Sequence, residues 1–484
     1  VNARLSCLLL IVLCAALPHG RDAVVGARRS GGGALPTAHG ALSPAEEERI
    51  GRMLARNLRA LDRDGRLPAA RPGVTSLRFP LRSAHTLVAP AYHALTNFVD
   101  HAAAAGVLSD YYCYGRTYDT PSYNHTGTDF AAWPFGWLRM DQQEIFVVAA
   151  ADGVLIAWED GADDRSCVLS SQPWNAAYVR HDDGTVAWYG HLKRGSVISK
   201  PVGSRIVAGD VLGVVGSSGS STGPHLHFEL RTAENAPIDP YFDGSPGHDC
   251  NPTAVASRWE SQPPYYDGAV LQVTVGDAPP EFPTCPNPET PHVRSEFTLD
   301  PAAGATIYFS VYYRDLLFGQ TTEYAVYRPD GTLYSAWSNA PGAGTAYYWW
   351  TTLVLPSGLP AGTWRVRVTH AGAAHDAWFN VDDPIFVVVT EPTASEWPIG
   401  RAREIRWMDN LGGRVRVELW RAGAYVATIE AAGDSDGTAG YTMSAVPCGA
   451  DYAIRVTDAA DSAHFAESAP FRVTGCVYVP FAQR

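Results

Sequence analysis

Charge is scarce in this 484-residue chain, with only 18% Asp, Glu, Lys and Arg and a formal balance of −13. Phosphate contacts need a basic surface, so nucleic acid is excluded as a partner. Long apolar runs are missing too. The run LLLIVLCAAL at 8–17 is too short for a membrane-spanning helix, and no transmembrane anchor is expected. No Cys-x-x-Cys pair occurs, which removes the usual thiolate zinc clusters.

What is plentiful points to strands. Hydrophobic residues make up 46%, and 45 Gly with 35 Pro suit short strands joined by turns. At about 150 residues per domain, roughly three domains are expected. Arg4, the apolar run and Cys14-Ala15-Ala16 read as a secretory signal over residues 1–20, so the protein is expected to be secreted or wall-associated. Export favours disulfides among Cys113, Cys167, Cys250, Cys285, Cys448 and Cys476. Proximity pairs Cys448 with Cys476 and Cys250 with Cys285, leaving Cys113 with Cys167.

Turn chemistry and periodicity divide the rest. In residues 21–80 a Gly- and Arg-rich stretch to 42 is expected to be disordered. Ser43-Pro44 with three following glutamates then opens a helix to about Arg63, with Ile50, Met53, Leu54, Leu58 and Leu61 on one face. That segment either packs on a neighbour or serves as a propeptide that controls access to a cleft. Residues 81–250 alternate short strands with turns at Asp152-Gly153, Asp183-Gly184 and Gly209-Asp210, an antiparallel sheet domain. Residues 251–290 are Pro-rich and read as a linker or an extended strap. Two β-sandwiches follow, at 291–388 with Trp364, Val366 and Val368 inward, and at 389–475 with Val415, Val417, Leu419, Tyr452, Ile454 and Val456 inward. Residues 476–484 form a tail. The fold class is mainly β.

The chemistry concentrates in three places. In HLHFE (225–229), strand alternation puts His225, His227 and Glu229 on one face and Leu226 and Phe228 on the other. With 15 His in the chain, about 0.5 such His-x-His pairs arise by chance, so the pair needs its context. That context is HTGTDF (125–130), where His125 and Asp129 offer a nitrogen and a hard oxygen, and AWYGH, which ends on His191. Catalytic zinc takes three protein ligands and a water, and His125, Asp129 and one His of the pair meet that count. Other candidates read more plainly. His181 sits at a hairpin as a surface or hydrogen-bonding residue, Glu229 either orients an imidazole or pairs with an arginine, and Trp133, Trp137 and Trp158 could line a substrate groove but read as buried packing residues. Asn124-His125-Thr126 overlaps a proposed ligand and is a coincidental glycosylation match, and the Gly/Ser loop 216–223 lacks a P-loop lysine.

HTGTDF, AWYGHL and STGPHLHFEL, in that order, resemble the lysostaphin/LytM-type zinc peptidases of bacterial cell walls over roughly residues 110–245. The resemblance implies that His125, Asp129 and His227 hold zinc and that His191 and His225 are the catalytic pair. It implies a zinc metalloendopeptidase acting on peptidoglycan peptides, expected as a monomer. The segments 133–140 and 159–174 look like insertions that reshape the cleft. The last sandwich resembles secreted Ser/Thr-rich, Ig-like β modules through WPIGRAREIRW and VRVELWRAGAYVATI. Two alternatives share these residues: a non-catalytic wall-binding or regulatory protein, and a zinc protease acting on proteins.

Overall fold

The structure is a computed structural model that describes residues 28–476, apart from 86, 88, 90, 103, 121–122, 243–256, 300–303, 357–358, 382–386, 410, 412 and 463. The expected leader, Cys250 and the last eight residues lie outside the described residues. The chain is mainly β. Its elements that bear on the site are β1 (Ser30–Ala34), α1 (Pro44–Arg63), β2 (His93–Asn97), β3 (Thr128–Ala132), β4 (Gly153–Glu159), β5 (Ala176–His181), β6 (Val186–Gly190), β7 (Arg205–Ile206), β8 (His225–Arg231), β9 (Ala269–Gly276), β10 (Ala305–Leu316) and β11 (Gly344–Leu355).

The central sheet runs β7-β4-β5-β6-β8-β3-β2, every pair antiparallel, with Pro237–Ile238 added on β8. Strand alternation gives it two different faces. One face carries Phe130, Leu226, Phe228, Leu230, Val179 and Tyr189 into the main core. The other carries Tyr178, Trp188 and Ile156, which meet the helix. α1 starts where Ser43 Oγ accepts the Glu46 backbone N–H at 3.2 Å, a cap worth about 1 kcal/mol. It ends at Asp64, before Gly65 turns the chain at φ +65°. Ile50, Leu54 and Leu61 are buried under it, each contributing about 2 kcal/mol.

β1, from the N-terminal segment, joins β11, β10 and β9 from beyond residue 268 in a four-stranded sheet that shares a core with a five-stranded sheet. Trp364, Val366 and Val368 are fully buried there, as their alternation predicts. A three-stranded and a six-stranded sheet enclose a second core, with Val415, Val417, Leu419, Tyr452, Ile454 and Val456 inside. The first of these units docks on the central sheet's end. Ala94, Trp133 and Phe135 pack with Leu271, Tyr312 and Ala346, the Trp133 indole donates to Tyr313 O at 2.8 Å, and Arg116 pairs with Asp315 at 2.7 Å.

Three expectations change. The Gly-rich stretch expected to be disordered contains β1, whose backbone pairs with β11 from Ser30↔Thr351 to Ala34↔Tyr347. The Pro-rich span 251–290 contains β9, an eight-residue strand hydrogen-bonded to β10. Cys448 does bond Cys476, but Cys285 bonds Cys167 rather than Cys250, which also removes Cys113–Cys167. The cause is docking. Arg165 donates to Pro286 O at 2.5 Å, and the Glu289 carboxylate accepts the Leu138 N–H at 3.0 Å, which together lay the 284–289 segment against the loop that holds Cys167.

Candidate functional site

The register of three strands assembles the site. β8 lies between β6 and β3, with His227 opposite Asp129 on one side and Gly190 on the other, and His225 opposite Ala131. Directly opposite residues share a face, so the two histidines and Asp129 project into one space. His125, just before β3, closes the group.

His125, Asp129 and His227 present one ligand atom each within 4.8 Å of one another. His227 Nδ1 lies 2.8 Å from Asp129 Oδ1 and 3.3 Å from His125 Nε2, and His125 Nε2 lies 3.3 Å from Asp129 Oδ1. All three are buried. The far sides of these groups are held in turn. His125 Nδ1 meets Phe98 O at 2.6 Å, Asn97 Nδ2 donates to Asp129 Oδ2 at 3.1 Å, and Glu229 Oε1 meets His227 Nε2 at 2.8 Å. Glu229 therefore both orients an imidazole and pairs with an arginine, because its second oxygen accepts from Arg231 Nε at 2.5 Å. Gly127 is required here: a Cβ would stand 2.7 Å from the His227 ring.

His191 and His225 sit beside this group with ring centroids 4.5 Å apart. Each uses Nδ1 on a backbone carbonyl, His191 on Ser218 O at 2.6 Å and His225 on Gly223 O at 2.8 Å, which turns both Nε2 atoms inward. His225 Nε2 is buried without a hydrogen-bond partner, 3.7 Å from Asp129 Oδ1. Buried polar atoms are normally paired, so this nitrogen is available for chemistry. His191 also holds a left-handed backbone at φ +60°, a costly conformation for a residue with a Cβ. Trp174 packs edge-on against its ring at 5.1 Å.

Electrostatics separate the rings. Burial pushes His225 down to about 4, and burial with the neighbouring His225 and His227 rings holds His191 well below the usual range. Both are neutral proton acceptors near pH 7. Burial opposes a charge on His227 as well, but the Asp129 and Glu229 carboxylates outweigh it and raise His227 to about 9. Burial likewise disfavours the Asp129 anion, yet the surrounding histidines keep that carboxyl well below its usual range. Such a concentration of negative charge among nitrogen donors suits a divalent cation, and two imidazoles with one carboxylate fit the donor set of catalytic zinc.

Some participants carry no signal in the sequence. Tyr118 stacks on His125 at 4.4 Å, and its hydroxyl hydrogen-bonds the backbone of Gly40. Asn97 supports Asp129 from β2. His181 stands away from the group: it is buried, with Nδ1 against Asp152 O at 2.9 Å. Trp133 and Trp137 are buried as expected, whereas Trp158 is exposed.

Residues 123–240 match the sequence model of Peptidase family M23, and the chain carries a domain of that family there. It is 37% identical over 116 residues to DD-carboxypeptidase/endopeptidase Mpg of Neisseria meningitidis serogroup B, covering 24% of this chain and 22% of that protein. It is 40% identical over 84 residues to glycyl-glycine endopeptidase ALE-1 of Staphylococcus capitis, covering 16% and 22%. It is 32% identical over 106 residues to peptidoglycan DD-endopeptidase ShyC of Vibrio cholerae serotype O1, covering 22% and 20%. The chain thus spans about a fifth of the length of these relatives.

Proposed function

We propose that this protein is a secreted, zinc-dependent endopeptidase that hydrolyses peptide bonds in the stems or cross-bridges of bacterial peptidoglycan. One observation carries the reading: three buried ligand-type side chains converge within 4.8 Å beside two neutral histidines, inside a region that matches a peptidase family. His125, Asp129 and His227 are the proposed ligands. Zinc bound there supplies a polarised carbonyl and a water acidified toward neutrality.

The protein's own groups supply the rest. His225, neutral and with a free inward nitrogen, accepts the proton of the attacking water. His225 then returns that proton to the departing amine, and neutral His191, its ring centroid 4.5 Å from that of His225, is a second proton acceptor beside it. Tyr118 donates from the far side toward the scissile carbonyl, where its hydroxyl now meets the Gly40 carbonyl. The β8 pairing and the Ser218 and Gly223 carbonyls fix these positions, so little reorganisation accompanies reaction. Two observations support export: the expected leader, and the disulfides Cys167–Cys285 and Cys448–Cys476, which persist in oxidising compartments. No helix among the described residues is long and apolar enough to cross a membrane. We place the protein at the wall as a monomer.

The test incubates the purified chain with peptidoglycan sacculi and with a panel of folded and unfolded proteins, each with zinc and with chelator. New amino ends from sacculi that vanish with chelator are expected. Binding to sacculi without new ends under any metal condition would reduce the protein to a wall-binding role, and cleavage confined to proteins would move the substrate.

A further inference from the structure

The zinc-type cluster and both neighbouring histidines are buried, although the proposed reaction needs a peptide to reach them. The covering element is the chain's own N-terminal segment. Residues 38–41 lie extended against residues 220–222, with Gly40 bridged to Ser221 in antiparallel sense. Thr222 N donates to His39 O at 2.9 Å, and Ala41 N donates to Ser220 O at 3.1 Å. His39 N donates to Thr222 Oγ1 at 3.0 Å, and Thr96 Oγ1 donates to Ala38 O at 3.3 Å. This is main-chain recognition of an extended peptide, the way a substrate strand would be held.

Alternation along that strand turns the Gly40 carbonyl away from residues 220–222 and toward Tyr118, the ring stacked on His125. The fit is close. A Cβ on Gly40 would stand 2.2 Å from His191 Nε2 and 2.7 Å from Ser220 O, so only glycine fits at this point.

The segment is fixed at both ends, by different parts of the molecule. Downstream, Leu42 is buried in the core beneath α1. Upstream, β1 is an edge strand of the first sandwich, paired with β11 over five residues and continued by Leu35 N to Ala346 O at 3.0 Å. Arg28 adds a clasp, its guanidinium 3.8 Å over the Trp337 ring and 2.7 Å from Ser335 Oγ. The side-chain-poor sequence SGGGA has little apolar surface of its own to hold it there. Its attachment rests on backbone bonds, which an edge strand can form and release.

We infer that residues 35–42 are a strap that closes the cleft in a substrate-like pose, and that sandwich strand β11 is the catch that holds it shut. The sandwich thereby regulates the site. This inference rests on the peptidase reading of the cleft. Release of β1 from β11 frees the upstream half of the strap while α1 stays packed, which opens the groove without unfolding the domain.

The catch can be broken at a distance from the cleft. A Cβ on Gly32, at φ +149°, would meet Tyr348 O at 2.2 Å, whereas a Cβ on Gly33 would meet nothing within 4 Å. Gly32→Ala is therefore the opening variant and Gly33→Ala its control, with Gly40→Ala opening the strap from the cleft side. In the full chain, hydrogen exchange at the Ala41 and Thr222 amides, zinc stripping by chelator, and release of wall peptides from sacculi are compared at matched thermal stability. Gly32→Ala and Gly40→Ala should each raise exchange, stripping rate and peptide release about tenfold or more over the parent and Gly33→Ala. Equal exchange and stripping in Gly32→Ala, Gly40→Ala and Gly33→Ala would overturn the strap. Faster exchange and stripping with no peptide release from any variant would uphold the strap and remove the peptidase reading instead.

Discussion

Glu229→Gln isolates the supporting shell of the proposed metal site, because it keeps the side chain's shape and removes its charge. The carboxylate is fully buried and committed three times, to His227 Nε2 at 2.8 Å, to Arg231 Nε at 2.5 Å and to the Thr126 hydroxyl at 3.1 Å. Although burial opposes its ionisation, Arg231 and His227 hold it well below the usual carboxyl range, so it is an anion at every working pH. Losing a carboxylate behind a metal-ligating imidazole costs about tenfold to a hundredfold in metal affinity, or about 1.4–2.7 kcal/mol. The second commitment adds a folding cost. Breaking a buried ion pair costs about 3–5 kcal/mol, but Arg231 keeps Glu47 at 2.7 Å, so a loss nearer 2 kcal/mol is expected. Competition with a chromogenic zinc chelator measures the first quantity and urea unfolding of the metal-free protein the second. Turnover at saturating zinc should stay near the parent's, since Glu229 is placed to touch no substrate. Unchanged zinc affinity in a folded variant would refute the role given to Glu229 and weaken the assignment of His227 as a ligand.

Four further outcomes follow from the same geometry. His227→Ala should lose zinc and activity together, whereas His225→Ala should keep zinc and slow turnover by about 10²–10⁴; equal zinc loss in elemental analysis would make both rings ligands. Tyr118→Phe should keep zinc and lower turnover by about 10², the loss typical of one carbonyl-polarising donor, and a rate equal to the parent's would remove it from the mechanism. Dialysis against chelator should abolish peptide release, and one zinc equivalent should restore it; activity that survives metal removal would exclude the proposed chemistry. Asp183 lies at about 2 in the fold against 3.8 unfolded, because hydrogen bonds from Thr185 and Thr75 outweigh the opposing effect of burial. The unfolded chain binds more protons between those values, so the stabilisation is full above pH 4 and is lost as pH falls toward 2. Asp183→Asn should cost about 2 kcal/mol in urea unfolding at pH 7 and much less near pH 2, and a gap independent of pH would reject this account.

Side-chain patterns announce the sheet and the cluster, and backbone-held features stay silent. His225 and His227 with Leu226 and Phe228 sort themselves onto two faces because strand periodicity is two, and the structure keeps that sorting without exception along β8. The sandwich strands behave alike: Trp364, Val366 and Val368 alternate and are buried. β1 has no such pattern. Three glycines become a strand only because the edge of β11, far away in sequence, offers free hydrogen-bonding groups. Tyr118 is one aromatic in YDTPSYNH and is distinguished only by where the loop carries it. The Cys167–Cys285 bond was misjudged from proximity along the chain, because docking of residues 284–289 through Arg165 and Glu289 decides the distance in space.

The different duties proposed for two histidines on one strand trace to what stands across from each. His227 faces Asp129, and its other nitrogen faces Glu229, so both nitrogens are engaged by carboxylates and the ring stays among anions. His225 faces Ala131, whose methyl group offers no partner, and its Nδ1 is anchored by the Gly223 carbonyl at 2.8 Å and the Ser221 hydroxyl at 3.4 Å. Its inward nitrogen is left unpaired and burial keeps it neutral. A carboxylate-flanked imidazole suits a cation, and an unpaired neutral one suits a proton in transit. A register slip of one residue between β8 and β3 would put Leu226 and Phe228 on the polar face and both imidazoles in the core. The apolar packing of Leu226, Phe228 and Leu230 therefore does more than stabilise the sheet: it sets which histidine meets Asp129 and which meets Ala131.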